Sequence, residues 1–180
     1  MNKIILFDHS NDAQMREFDL HRLSVTNSGH RLSRNYSAKD FAYHEQEIFS
    51  IGYKNNVPHL FSTVYRRDWW PTGTYRILNR LWKTSLDNLT NKDIDDIYID
   101  MISAQISWLK ANQQDFQTAV ISRNGVENKM LSMLADKLKS ADLDFKIYKD
   151  RVWMCKGTAD DCLQTVLYYG NEETLTSWTC

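Results

Sequence analysis

Between Glu47 and Lys83 the chain carries three strand patterns in immediate succession, and a long helical pattern follows. Glu47 to Lys54 and His59 to Arg67 are rich in Phe, Thr, Val and Tyr, and Asn55-Asn56-Val57-Pro58 reads as the turn between them. A Pro/Gly turn in DWWPTG then leads into a third strand, Thr74 to Lys83. Three strands joined by short turns form an antiparallel meander. Residues 94 to 113 place Ile94, Ile97, Tyr98, Met101, Ile102, Ile106, Trp108 and Leu109 on one broad helical face, which needs a sheet to cover it.

The flanking segments complete the order. Lys3 to Phe7 reads as a short buried strand, and Asp12 to Leu23 and Ala38 to Gln46 are compatible with helix. After the long helix come a strand over Thr118 to Ser122, the Asn124-Gly125 turn and a helix carrying Val126, Met130, Met133, Leu134 and Leu138. Phe145 to Tyr148 and Val152 to Cys155 read as two strands separated by a Lys149-Asp150 turn. Thr158, with Asp161 three positions on, predicts a capped helix ending near Gly170. The 180 residues contain only two prolines and six glycines and mark no linker, so a single domain over residues 1–180 is expected.

Composition narrows the function classes. No run approaches the roughly 18 apolar residues of a membrane helix, and the N-terminal apolar run lacks a small-residue cleavage site, so a cytoplasmic protein without membrane association is expected. Cys155, Cys162 and Cys180 lack the C-x-x-C spacing and read as reduced thiols. The five histidines are scattered without an H-x-x-x-H pair, so no metal site is expected. A formal net charge of −1 argues against a wholly basic nucleic-acid binder, yet residues 54 to 83 carry six Lys or Arg against one Asp, and residues 87 to 100 carry five Asp against one Lys.

The basic excess is concentrated in RRDWWPTGTYRILNRLWK, residues 66 to 83. Arg66, Arg67, Arg76, Arg80 and Lys83, interleaved with Trp69, Trp70, Tyr75 and Trp82, could hold phosphates while stacking bases or acyl groups. The partner would be a nucleotide, a nucleic acid or an acyl donor. The same residues also suit a core strand, with arginine stems covering aromatic edges. Glu47 and Asp68 could serve as bases at the meander's end, and Cys155 as a nucleophile, although the sequence implies no histidine partner for the thiol.

The element order, with WWPTGTYRILNRLWK, QISWLK and LYYGNEETLTSW, resembles the GNAT (acyl-CoA N-acyltransferase-like) superfamily, and in particular GNAT-like proteins of tailed phages and marine metagenomes. The resemblance implies an α/β fold (α+β in some schemes) with a mixed, mostly antiparallel sheet and helices on both faces. It also implies acyl-CoA as donor, with the pyrophosphate held by a Gln/Arg-x-x-Gly-x-Gly/Ala loop at a helix N-terminus. The corresponding stretch, Thr84 to Asp96, has no glycine and carries Asp87, Asp93, Asp95 and Asp96 against Lys92 alone. Those acids also suit the positive end of a helix dipole. Of the family's Asn-x-x-Ala-x-x-x-Tyr pattern, Asn128 matches, Leu131 replaces the alanine, and Ala135 stands where a tyrosine would protonate the leaving thiolate. Two readings follow: a divergent acyl- or group-transferring enzyme, or a non-catalytic module binding nucleic acid, nucleotide or protein through residues 66–83.

Overall fold

A computed structural model describes residues 1–27, 45–66, 70–81, 89–123, 128–153 and 162–173. The elements, in chain order, are β1 (Asn2–Asp8), α1 (Asp12–Asn27), β2 (Glu45–Lys54), β3 (Val57–Arg66), β4 (Thr74–Leu81), α2 (Asn91–Asn112), β5 (Gln117–Arg123), α3 (Asn128–Lys139), β6 (Lys146–Trp153) and β7 (Cys162–Tyr169). The strands form one mixed sheet in the order β1-β2-β3-β4-β5-β7-β6. The β1–β2, β2–β3, β5–β7 and β6–β7 pairs are antiparallel, and β4–β5 is parallel. The residues cluster into two compact units, 1–68 with 78–108 and 69–77 with 109–180.

In the first unit the β2–β3 hairpin closes on Asn55 and Asn56, both at positive φ (52° and 63°). That is the geometry of a two-residue turn whose twist suits paired strands, and asparagine tolerates it. Strand alternation then divides the meander into two apolar faces. Phe7, Phe49, Ile51 and Tyr53 meet Phe18 of α1, with Ile5 and Met15 at the margin. The Phe18 and Phe49 rings stack at 4.7 Å between centroids, and Phe7 meets Phe18 edge-on at 5.5 Å. The opposite face receives α2, whose Ile97, Met101, Ile102 and Ile106 are all buried. Contact there is backbone-close: a Cβ built on Gly52 would lie 2.5 Å from Ile97 Cγ2. Helices therefore cover both faces of these strands.

In the second unit α3 packs against β6 and β7. Its buried stripe is Met130, Leu131, Leu134 and Leu138, whereas Met133, expected in that stripe, is 39% exposed. Phe116 and Phe145 flank the Tyr169 ring, each at 5.1 Å.

Two expectations are corrected. The residues split by the Lys149-Asp150 turn form the single strand β6, and the turn signal marks a shift in register between Tyr148 and Arg151. A bulge absorbs extra residues without ending the strand. The helix expected from Thr158 to near Gly170 gives way to β7. Val166, Leu167 and Tyr168 are consecutive and buried, which fits an interior strand covered on both faces, and tertiary pairing with β5 and β6 overrides the cap-like spacing. The helix-compatible stretch from Ala38 lies outside the described residues except for its last two, Glu45 and Gln46, which begin β2.

Candidate functional site

The resemblance places the donor's pyrophosphate at the N-terminus of the helix that follows the meander, which here is α2. That end is occupied by the chain's own side chains. Thr90 is the N-cap: its Oγ accepts the Asp93 N–H at 3.2 Å, and the Asp93 carboxylate accepts the Thr90 N–H and hydroxyl, each at 2.9 Å. This is a reciprocal capping box with aspartate in the position usually held by Glu or Gln. Lys54, the last residue of β2, forms an ion pair with the same Asp93 carboxylate. Its hydrogen bond, followed by those from the Thr90 backbone and hydroxyl, holds the Asp93 carboxyl well below the usual carboxylate range. One turn on, Lys92 pairs with Asp96 at 2.6 Å, and the hydrogen bond and charge of Asp96 raise the lysine's pKa. An incoming pyrophosphate would meet the Asp93 carboxylate, ionised at neutral pH and paired with Lys54, beside the first amides of α2.

The Arg/Trp segment divides differently. Arg66 ends β3 and is half-buried. Trp70 and Tyr75 lie in the core of the second unit, 7% and 5% exposed. Arg76, on β4, is half-buried between buried Tyr75 and Ile77. Arg80 lies on β4, and Asn128 opens α3, but their side chains lie outside the described residues, as do Arg67, Trp69, Trp82 and Lys83 entirely. The same holds for the Glu47 side chain, Asp68 and Cys155. At Thr74 to Ile77 both faces of β4 are covered, which accounts for the mixture of apolar and polar residues on each face. The turn before it closes with Thr74 N–H on the Pro71 carbonyl at 3.1 Å, with Gly73 at φ 79°. Gly73 lies against the Asp115 carbonyl, which a Cβ would approach to 3.2 Å.

Two polar networks escaped the sequence reading. In the first unit Gln105 of α2, Ser50 of β2 and Ser62 of β3 are all fully buried. The Gln105 amide donates to Ser50 Oγ at 2.6 Å and to Ser62 Oγ at 3.0 Å, and Ser50 Oγ donates to the Ser62 carbonyl at 3.1 Å. A glutamine one residue before Ile106 on the apolar face of α2 was the available signal. In the second unit the Gln117 carbonyl oxygen accepts the Tyr168 hydroxyl and the Asn171 N–H, both at 2.8 Å. Burial, with a smaller contribution from Tyr148, pushes the Tyr168 phenol up to about 12, so it is a neutral donor. Neither network resembles a nucleophile–base pair. Among the described residues no group of three His, Cys, Asp or Glu side chains could hold a metal ion, and no helix is long and apolar enough to cross a membrane.

No family model and no curated protein matches the sequence. Solved structures do match the fold. The AHL synthase LasI superposes with a TM-score of 0.54 at 8% identity, covering 100% of this chain and 97% of its own. An acyl-CoA N-acyltransferase from Pseudomonas aeruginosa gives 0.53 at 8% identity, covering 94% of this chain and all of its own. A probable acetyltransferase from Staphylococcus epidermidis gives 0.50 at 12% identity, covering 94% and 98%. At such identities the likeness establishes a GNAT-like α/β fold and nothing finer.

Proposed function

We propose that this chain is a divergent group transferase of the GNAT superfamily, one domain over residues 1–180 acting in the cytoplasm, which engages its donor without the pyrophosphate contact of ordinary acetyl-CoA enzymes. The observation that supports this reading is the capped α2 N-terminus, where the Thr90 and Asp93 amides are taken by each other's side chains and Lys54 pairs with the Asp93 carboxylate, at the end at which such a fold would receive the anion. The glycine-free stretch 84–96 and Ala135 in place of a tyrosine point the same way. Kinship with the GNAT-like proteins of tailed phages and marine metagenomes is part of the same proposal.

The test is a thermal-shift series with acetyl-CoA, free CoA, an acetylated pantetheine lacking the nucleotide, nucleotides and a short single-stranded oligonucleotide. A ligand at roughly 100 times its dissociation constant stabilises by about 2.7 kcal/mol. The acetylated pantetheine is expected to shift the transition as far as acetyl-CoA does. A shift that requires the nucleotide half of CoA would overturn the reading. The rival reading, a non-catalytic module binding through Arg66, Arg67, Trp69, Trp70, Tyr75, Arg76, Arg80, Trp82 and Lys83, has Trp70 and Tyr75 in the core rather than available for stacking. A shift with the oligonucleotide alone would favour that module.

A further inference from the structure

The registers that hold the second unit's sheet together are unequal. The β5–β7 pair runs from Thr118↔Tyr169 to Arg123↔Gln164, and β6–β7 from Lys146↔Tyr168 to Trp153↔Cys162, both antiparallel. The β4–β5 register is parallel and includes Thr74↔Gln117 to Ile77↔Val120. Parallel pairing is slightly weaker per residue, so this seam starts at a disadvantage.

Two side chains weaken it further. Thr74 and Thr118 are 1% and 0% exposed, and the Oγ1 of each makes no hydrogen bond among the described residues. Because Thr74 is opposite Gln117 and Thr118 opposite Tyr75, the two hydroxyls lie on opposite faces of one seam. A hydroxyl held away from water without a partner raises the free energy of the closed state relative to any state in which water reaches it. A third contribution sits at the seam's start. Asp115 adopts φ 51° beside Gly73, a conformation that aspartate tolerates better than most residues but at more cost than glycine.

We propose that the β4–β5 seam is a metastable closure, which opens within the otherwise folded protein before any other register of the second unit and releases the Thr74 and Thr118 hydroxyls when it does. The inference does not depend on what the donor is, and the proposed function can fail without it.

Strand β5 supplies its own control. The Gln117 N–H donates to the Gly73 carbonyl at 2.8 Å, so by alternation the Gln117 and Ala119 amides face β4, while those of Thr118 and Val120 face β7. Residue-resolved amide hydrogen exchange on the whole ligand-free chain reads the two edges of one strand separately. After correction for intrinsic rates, Gln117 and Ala119 are expected to exchange at least about tenfold faster than Thr118 and Val120. Equal rates on alternate residues would overturn the proposal. In the double variant Thr74→Val/Thr118→Val, which removes both hydroxyls at nearly constant volume, exchange at Gln117 and Ala119 should slow by about tenfold or more, while the β7-facing amides hold their rates. Unchanged or faster exchange at Gln117 and Ala119 would show that the hydroxyls do not destabilise the seam. Should the variant not fold, the comparison within wild-type β5 still decides.

Discussion

Thr90 and Asp93 cap each other: the threonine Oγ accepts the Asp93 N–H while the aspartate carboxylate accepts the Thr90 N–H. The pair caps the end of α2 at which the resemblance would put a donor's pyrophosphate. The same carboxylate is tied to β2 through Lys54, so one side chain serves the helix start, the helix–strand connection and the local charge.

Removal of the cap should be measurable. Thr90→Ala is expected to cost about 1 kcal/mol, which for a chain of this size is a drop in melting temperature of about 2–4 °C. Asp93 adds a pH signature. Its carboxyl is held below the ordinary value of 3.8, so the ionised form is favoured by folding. The resulting stability is complete above that value and is lost as the pH falls below it. Asp93→Asn should therefore flatten the acid limb of a stability-against-pH curve. An acid limb identical to wild type would show that the carboxylate is not held by Lys54 and Thr90 in solution.

The buried Gln105–Ser50–Ser62 network predicts strong non-additivity. Gln105→Leu leaves two fully buried hydroxyls without their amide partner and should cost about 2–4 kcal/mol. With Ser50→Ala and Ser62→Ala added, no polar side chain of the network remains to be satisfied, and much of that loss should return. Denaturant titration of the single, double and triple variants measures the coupling. Additive losses would mean that the three side chains act independently.

Much of this architecture was legible because it is written in period and punctuation. Asn55-Asn56 announced the hairpin, the broad apolar face of 94–113 announced α2, and β1 to β5 lie close to where apolar runs and β-rich composition placed them. Two features misled. Lys149-Asp150 carries turn chemistry that a strand can absorb as a bulge, and Thr158 with Asp161 imitates a helix start that strand pairing overrides. The networks were less visible for a physical reason. Gln117, Tyr168 and Asn171 are brought together by register between strands that are not consecutive in the chain, which no local pattern encodes. At the candidate site the acids of Thr84 to Asp96 suit a helix dipole on sequence alone, whereas the partnership of Asp93 with Lys54, 39 residues away, needed the fold.

Close packing at Gly52 predicts a specific rescue. A Cβ there would lie 2.5 Å from Ile97 Cγ2, so Gly52→Ala must push α2 away from β2 or strain the side chain, at about 1–3 kcal/mol. Ile97 is fully buried, and Ile97→Ala alone should cost about 2–5 kcal/mol through its cavity. The double variant should be more stable than the sum of the two losses, because the new methyl occupies part of the vacated space. Chemical denaturation of all four proteins completes the cycle, and simple additivity would show that the helix does not bear on Gly52.

Two buried phenols should contribute to the alkaline limit of the fold. Burial, together with a nearby group, pushes both Tyr53 and Tyr168 up to about 12, from the ordinary 10.0. For Tyr53 the neighbour is Glu17, and for Tyr168 it is Tyr148. A folded-state pKa above the unfolded value means that folding favours the neutral phenol. That stability is fully present below pH 10 and is lost as the pH rises through about 12. Tyr168→Phe should cost about 1 kcal/mol near neutrality, because its hydroxyl no longer donates to Gln117, which keeps the Asn171 N–H as a partner. The same variant should lose less stability than wild type between pH 10 and 12, and Tyr53→Phe should behave alike from the other unit. Phenolate absorbance recorded alongside circular dichroism checks the sign: in wild type both phenols should ionise together with the loss of structure, and ionisation of either at pH 10 in the folded protein would show that it is not buried as described.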